Sequence, residues 1–167
     1  MVKPEVVKGV THLLTVTDSF PDVISNTVKA CTYMTLNFDF VSHPSSINML
    51  KNLMPLTEYF KKSKVAAEQE DDMVNLVHCI TNLIAGSKEN KIYFFEQGGV
   101  WKYLMLILES DDLKFIELLI SGIKEIAFLN VTLLQLVKQD DISQMTALKQ
   151  ILVKGFQMTD NWLDFIK

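Results

Sequence analysis

Apolar residues recur at helical spacing along most of the chain. Val6 and Val10 are the first members of one apolar face, which predicts a helix over about 4–17. The same spacing predicts a second helix over about 22–37. The nearest approach to alternation of period two lies at 36–41 and is too short to support a sheet. The pattern therefore predicts an all-α fold.

Serine, proline and charged residues divide the middle of the chain. A break at 42–46 precedes a short apolar helix, which Pro55 interrupts because proline removes a helical hydrogen bond. The polar run 61–72 predicts an exposed loop between helices. The apolar pattern sharpens at Met73 and predicts a helix that ends near Gly86.

The second half of the sequence continues with helices. A short helix over 92–95 is followed by a sharp break at Gly98 and Gly99, and a third helix covers 100–108. Acidic residues then precede a long helix over about 111–129. Further helices are predicted over 131–137, about 139–153 and 159–167.

Residues 70–112 resemble one armadillo repeat. The features that carry the resemblance follow one another as Asn82-Leu83, Glu89-Asn90, the short helix 92–95, Gly98-Gly99 and the leucines of 104–108. A looser copy lies at 27–63, where Asn37 corresponds to Asn82 and Ser42 to Ser87. The resemblance implies an armadillo-like, right-handed stack of about three helical repeats with terminal capping helices. It also implies a single domain over residues 1–167.

Charge and composition narrow the class of partner. The net charge is −4 and the chain contains no arginine, so a basic nucleic-acid-binding face and a guanidinium clamp on phosphate are both excluded. Cys31 and Cys79 lie far apart in apolar helical runs, which predicts reduced core residues of an intracellular protein, cytoplasmic or nuclear. Charges interrupt every apolar stretch before the length that spans a bilayer, so no membrane insertion is expected.

The residues needed for catalysis or metal binding do not occur in suitable patterns. The three histidines lack partners at metal-ligand spacing, and no phosphate-binding glycine motif is present. The acidic pairs 71–72, 111–112 and 140–141 stand at predicted helix starts, where negative charge is favourable. We therefore expect no enzymatic activity, no cofactor and no metal ion.

The resemblance directs attention to the third helix of the repeat. In armadillo proteins the third helices line a concave groove, and 100–109 resembles such a helix. The residues expected to contact a partner there are Trp101, Lys102, Tyr103, Leu106 and Glu109. The expected partner is a helix or extended peptide of another protein, bound by a scaffold or adaptor and assisted by the acidic loop 68–72.

An alternative function is self-association. The C-terminal segment is aromatic and apolar, and it would join copies of the chain or dock on a larger complex as a structural or regulatory subunit. The residues of this candidate assembly surface are Phe156, Trp162, Phe165 and Ile166.

Overall fold

Helices form the secondary structure of the computed structural model, which describes residues 4–15, 21–62 and 68–127. No strand occurs within these ranges, so the all-α prediction is confirmed for them. The helices are α1 (Pro4–Thr15), α2 (Pro21–Thr35), α3 (Phe38–Val41), α4 (Ser46–Leu53), α5 (Leu56–Lys62), α6 (Glu68–Gly86), α7 (Lys88–Glu96), α8 (Gly99–Glu109) and α9 (Leu113–Ala127). They belong to two compact units, with α1 to α7 within Met1–Gln97 and α8 and α9 within Gly98–Lys167.

The end of α2 shows how a side chain sets a helix boundary. α2 ends at Thr35, and Asn37 then adopts an extended backbone conformation. The Oδ1 atom of Asn37 accepts a hydrogen bond from the Phe40 backbone N–H at 3.3 Å, which caps α3. The stretch 36–41, the closest approach to a strand pattern in the sequence, therefore contains a one-turn helix.

The charged run 61–72 is not the continuous exposed loop predicted from its composition. α5 extends to Lys62 and α6 already begins at Glu68. Asp72 is buried, and its carboxylate is paired there. The Ser25 hydroxyl donates a hydrogen bond of 2.7 Å to its Oδ1 atom, and Lys29 Nζ lies 3.9 Å from the same oxygen. The prediction was wrong because Ser25 lies 47 residues earlier in the chain, beyond the reach of local charge patterns.

The first unit is organised around the contact between α2 and α6. α6 also contacts α3, α4, α5 and α7, while α1 packs on α2 and α4. Each large apolar side chain buried in this way stabilises the fold by about 1.5–3 kcal/mol. The buried apolar residues of the two central helices are Ile24, Val28, Cys31, Leu76, Val77, Cys79, Ile80, Leu83 and Ile84.

The second unit begins at a glycine that has a left-handed backbone. Gly98 precedes α8 with φ of 70°, a conformation that glycine adopts without the steric cost of a Cβ atom. α8 packs against α9. Val100 and Leu104 are buried on the inner side of α8.

Candidate functional site

The seam between α2 and α6 carries a row of small polar contacts. Three pairs of side chains are bonded across it: Ser25–Asp72 at 2.7 Å, Thr32–Cys79 at 3.2 Å and Thr35–Asn82 at 3.3 Å. The two partners lie 47 residues apart in every pair. A constant difference in residue number means that α2 and α6 run in the same direction, because antiparallel helices would keep a constant sum instead. The two helices therefore lie side by side, parallel and in a fixed register.

α4 and α7 pack against each other in the same sense. Near the helix starts, Asn90 Nδ2 donates a hydrogen bond of 2.9 Å to Ser46 Oγ, across a separation of 44 residues. Further along both helices, Lys51 Nζ lies 5.5 Å from the centre of the Tyr93 ring. The start of α4 contacts the start of α7, and the middle of α4 contacts the middle of α7, so the two helices are also parallel. α2 and α4 thus each have a parallel neighbour later in the chain, α6 and α7 respectively.

Asn90 joins these two helix pairs through a buried hydrogen-bond chain. Its Nδ2 atom also donates a 2.8 Å bond to the carbonyl oxygen of Leu83, near the end of α6 where carbonyls lack helical partners. The Ser46 hydroxyl, which accepts from Asn90, donates in turn to the carbonyl oxygen of Val41 at 3.0 Å. These hydrogen bonds therefore link the ends of α3 and α6 to the starts of α4 and α7. Asn90 Oδ1 has no hydrogen-bond partner among the described residues.

Residues 87–90 contain the N-terminal cap of α7. Ser87 Oγ accepts a hydrogen bond from the Asn90 backbone N–H at 3.4 Å and donates one of 2.8 Å to Glu89 Oε2. Hydrogen bonds from its own backbone N–H and from Ser87 hold the pKa of Glu89 below its ordinary value. Ser42, in contrast, ends α3, so its predicted equivalence with Ser87 is wrong.

Both cysteines are buried in the first unit as thiols, in agreement with their prediction as core residues. Burial raises the pKa of Cys79 to about 11, and burial together with the nearby Cys79 raises the pKa of Cys31 as well. The Sγ atom of Cys79 is held 3.6 Å from the carbonyl oxygen of Val28. Nucleophilic attack requires the thiolate form, so neither side chain is suited to catalysis at neutral pH.

The outer sides of α2 and α6 form an exposed strip, here called the α2–α6 strip. Its exposed residues are Asp22, Asn26, Lys29 and Tyr33 on α2, and Asp71, His78 and Ala85 on α6. By the 47-residue register, His78 and Asn82 stand level with Cys31 and Thr35, which bracket Tyr33 along α2. The ring of Tyr33 and the imidazole of His78 thus lie at one level of the unit, beside the half-buried amide of Asn82.

Three large apolar side chains are exposed where α2 gives way to α3. Tyr33, Leu36 and Phe38 are 77%, 70% and 73% exposed, although such residues are usually buried. We call this group the apolar corner. Sequence reasoning missed it, because an apolar residue near a helix end can face either the core or the solvent. The available signal was position: Leu36 and Phe38 flank the cap residue Asn37, outside the apolar faces of both helices.

The candidate groove residues on α8 differ widely in exposure. Tyr103 is fully buried, which overturns the expectation that its ring faces a groove. Trp101, Lys102 and Leu106 are half-buried, and Glu109 is exposed. Tyr103 is buried because it shares one face of α8 with Val100, Leu104 and Ile107, at spacings of three and four residues.

The C-terminal assembly residues Phe156, Trp162, Phe165 and Ile166 lie outside the described residues. Within 4–15, 21–62 and 68–127, no three His, Cys, Asp or Glu side chains come together in a way that could hold a metal ion. Every helix in these ranges is too short or too polar to cross a bilayer.

Comparison of the chain with protein-family models, with curated proteins and with solved structures gives no match. The features that bear on function are therefore the parallel register of α2 with α6, the α2–α6 strip and the apolar corner.

Proposed function

We propose that this chain is a non-enzymatic scaffold or adaptor that holds a segment of a protein partner along the α2–α6 strip. The observation that carries the proposal is the separation of 47 residues that three side-chain pairs bonded between α2 and α6 share. Parallel helices that pair at a constant sequence offset are typical of helical repeat stacks, whose main use is an extended binding surface. An armadillo-like stack of repeats would contain this arrangement and is proposed here on that ground.

The proposed binding surface lies on α2 and α6 rather than on α8. Tyr103, the aromatic residue expected to anchor a partner on α8, has no exposed surface. Tyr33 on α2 is 77% exposed and stands level with His78 and Asn82 of the neighbouring helix. Aromatic side chains are enriched on surfaces that bind proteins, and polar residues surround them at the rim.

The chemistry of the first unit supports a binding role over a catalytic one. Its two thiols, the strongest potential nucleophiles, are buried, and burial raises the pKa of both. The polar groups of the seam are occupied in holding α2 against α6. Free thiols in the core also fit a reducing compartment, so we propose a location in the cytoplasm or nucleus.

Selection from a random peptide display library tests this proposal. The purified chain is immobilised, and enriched 12-residue peptides are then titrated against it in solution by fluorescence anisotropy. We expect saturable binding that Lys29→Ala and His78→Ala weaken, while Glu58→Ala on α5 serves as the matched exposed control. Peptides that bind no better than their scrambled versions would overturn the proposal.

Self-association has a separate readout. Light scattering after size exclusion reports whether the chain forms oligomers as its concentration rises. Oligomers that disappear in Trp162→Ala, together with a failed peptide selection, would favour assembly through the aromatic C-terminal segment over partner binding.

A further inference from the structure

The apolar corner exposes three large side chains that contribute little buried area to the first unit. Three large side chains within six positions are more than two-thirds exposed. Isolated exposed apolar residues are ordinary, whereas several of them close together in the sequence often mark a contact site.

The orientation of α2 shows that the corner lies outside the helix stack. Cys31 and Thr35 point into the core, and Tyr33 lies two residues from each. Two residues correspond to a rotation of about 200° around a helix, so Tyr33 points away from the core. The contact with α6 is made by Ser25 and Thr32, on another side of α2. A helix that stacked on α2 as α6 does would therefore leave Tyr33 uncovered.

The area of the corner distinguishes between two occupants. Aromatic side chains present roughly 150–250 Å² each, so Tyr33 and Phe38, at about three quarters exposure, and the smaller Leu36 together offer roughly 300–500 Å². A stable interface between two folded chains requires about 800 Å² from each partner. The corner alone is thus too small to hold a second copy of this chain. It matches one or two anchoring side chains of a short segment, which dominate the affinity of such contacts.

The charge beside the corner limits what can flank those anchors. Asp39 is exposed directly after Phe38, in the first turn of α3. Lys29, the nearest cation along α2, lies 3.9 Å from Asp72. The Asp39 carboxylate would repel an acidic residue next to an anchor of the partner, but it would not repel a neutral or basic residue.

We propose that Tyr33, Leu36 and Phe38 form the anchor site for a short segment of a protein partner, which inserts one or two apolar side chains flanked by neutral or basic residues. This inference rests on the proposed function, because it names the chemistry of the segment that the α2–α6 strip would hold. The partner is a flexible peptide segment, and its specificity lies in the spacing of its apolar anchors.

The test uses the most strongly enriched 12-residue peptide from the display selection. We expect Tyr33→Ser and Phe38→Ser each to weaken its binding at least about tenfold, as loss of an anchor contact does. Ile92→Ser, an exposed apolar residue on α7, is the matched control and should change the affinity less than about twofold. Replacing the apolar anchors of the peptide with serine should abolish binding, and placing glutamate beside them should weaken it.

The outcomes separate this inference from the proposed function. Peptides that bind the wild type and the corner variants equally would overturn the inference and leave the proposed function standing. A selection without binders would overturn both. Oligomers that form with rising concentration and disappear in Phe38→Ser would assign the corner to a second copy and also overturn the inference. Tyr33→Phe, which retains the ring, should keep the affinity and guards against an effect of misfolding.

Discussion

α2 carries two regions that reverse the usual distribution of polar and apolar residues. Its inner seam with α6 holds small polar groups, among them Thr32 and Thr35, which bond across the interface. Its far end, together with the start of α3, exposes Tyr33, Leu36 and Phe38. Burying polar groups costs free energy unless they are paired, and exposing apolar groups forgoes the gain from burial.

The two regions differ in how they specify structure. In the seam, hydrogen bonds with fixed partners allow only one register of α2 against α6, which apolar contacts alone would not enforce. At the corner, no described residue covers the apolar groups to an extent comparable with the core. The difference teaches that polar contacts fix the register of α2 against α6, while the exposed apolar groups of this unit are left for the proposed contact with a partner.

The largest effect on stability is expected for Asn90→Ala. The substitution removes the donor to Ser46 Oγ and to the Leu83 carbonyl oxygen, and it leaves both acceptors buried. We expect a loss of about 3 kcal/mol in the free energy of unfolding, measured by urea denaturation. Asn26→Ala on the exposed side of α2 is the control and should change stability by less than about 0.5 kcal/mol. Equal effects of the two substitutions would show that the buried hydrogen bonds of Asn90 do not contribute to stability.

The second prediction concerns pH and the thiol in the seam. In the folded protein the pKa of Cys79 is raised to about 11, whereas in the unfolded chain the thiol ionises near 9.0. Between these pH values unfolding releases a proton, so stability is greatest below pH 9 and falls as the pH rises toward 11. The expected loss is on the order of 2 kcal/mol.

The control for this pH dependence is Cys79→Ser, whose hydroxyl does not ionise in that range. Every lysine and tyrosine is the same in both proteins, so the difference between their stability profiles isolates the thiol. Parallel profiles from pH 8 to 11 would contradict the burial of Cys79 in the seam.

Gly86→Ala tests how the corner is held in place. A Cβ atom at Gly86 would lie 2.8 Å from the backbone carbonyl carbon of Val41, the last residue of α3. Since backbone yields less readily than a side chain, we expect a loss of about 2 kcal/mol and a displaced α3. Gly9→Ala is the matched control, because nothing lies within 4 Å of its added Cβ, and it should be neutral or slightly stabilising. A stable Gly86→Ala variant would mean that α3 does not pack closely on α6.

The smallest effect is expected for a single bond of the seam. Asn82 Nδ2 donates to Thr35 Oγ1 at 3.3 Å, a long and partly buried hydrogen bond. A double-mutant cycle with Thr35→Val and Asn82→Ala should give a coupling energy of about 0.5–1 kcal/mol. A double-mutant cycle between the exposed residues Asn26 and His78 should give no coupling energy. Zero coupling in the first cycle would remove one of the three bonds that define the register.

Sequence reasoning predicted most helices and missed the relation between them. Spacing of apolar residues located α2, α4, α7 and α8, because helical periodicity is a local property. The caps at Ser87 and the break at Gly98 were predictable from local chemistry as well. The partners of Asp72 and Asn90 lie 47 and 44 residues away, and no local pattern reports such contacts.

The same limitation explains the error at Tyr103 and the missed corner. An apolar or aromatic residue in a helical pattern can face the core or a partner, and its neighbours in sequence do not distinguish the two. Tyr103 shares a face with other core residues and is buried, whereas Tyr33 lies on the opposite side of its helix from Cys31 and is exposed. Only the packing of other helices decides between these outcomes.

The most direct test of this account is the free energy of unfolding of the triple variant Tyr33→Ser/Leu36→Ser/Phe38→Ser. If the corner is a binding surface and not part of the core, the free energy of unfolding of the variant should lie within about 1 kcal/mol of the wild-type value. A loss of about 3 kcal/mol or more, comparable to that expected for Asn90→Ala, would show that these residues support the fold and would contradict the account.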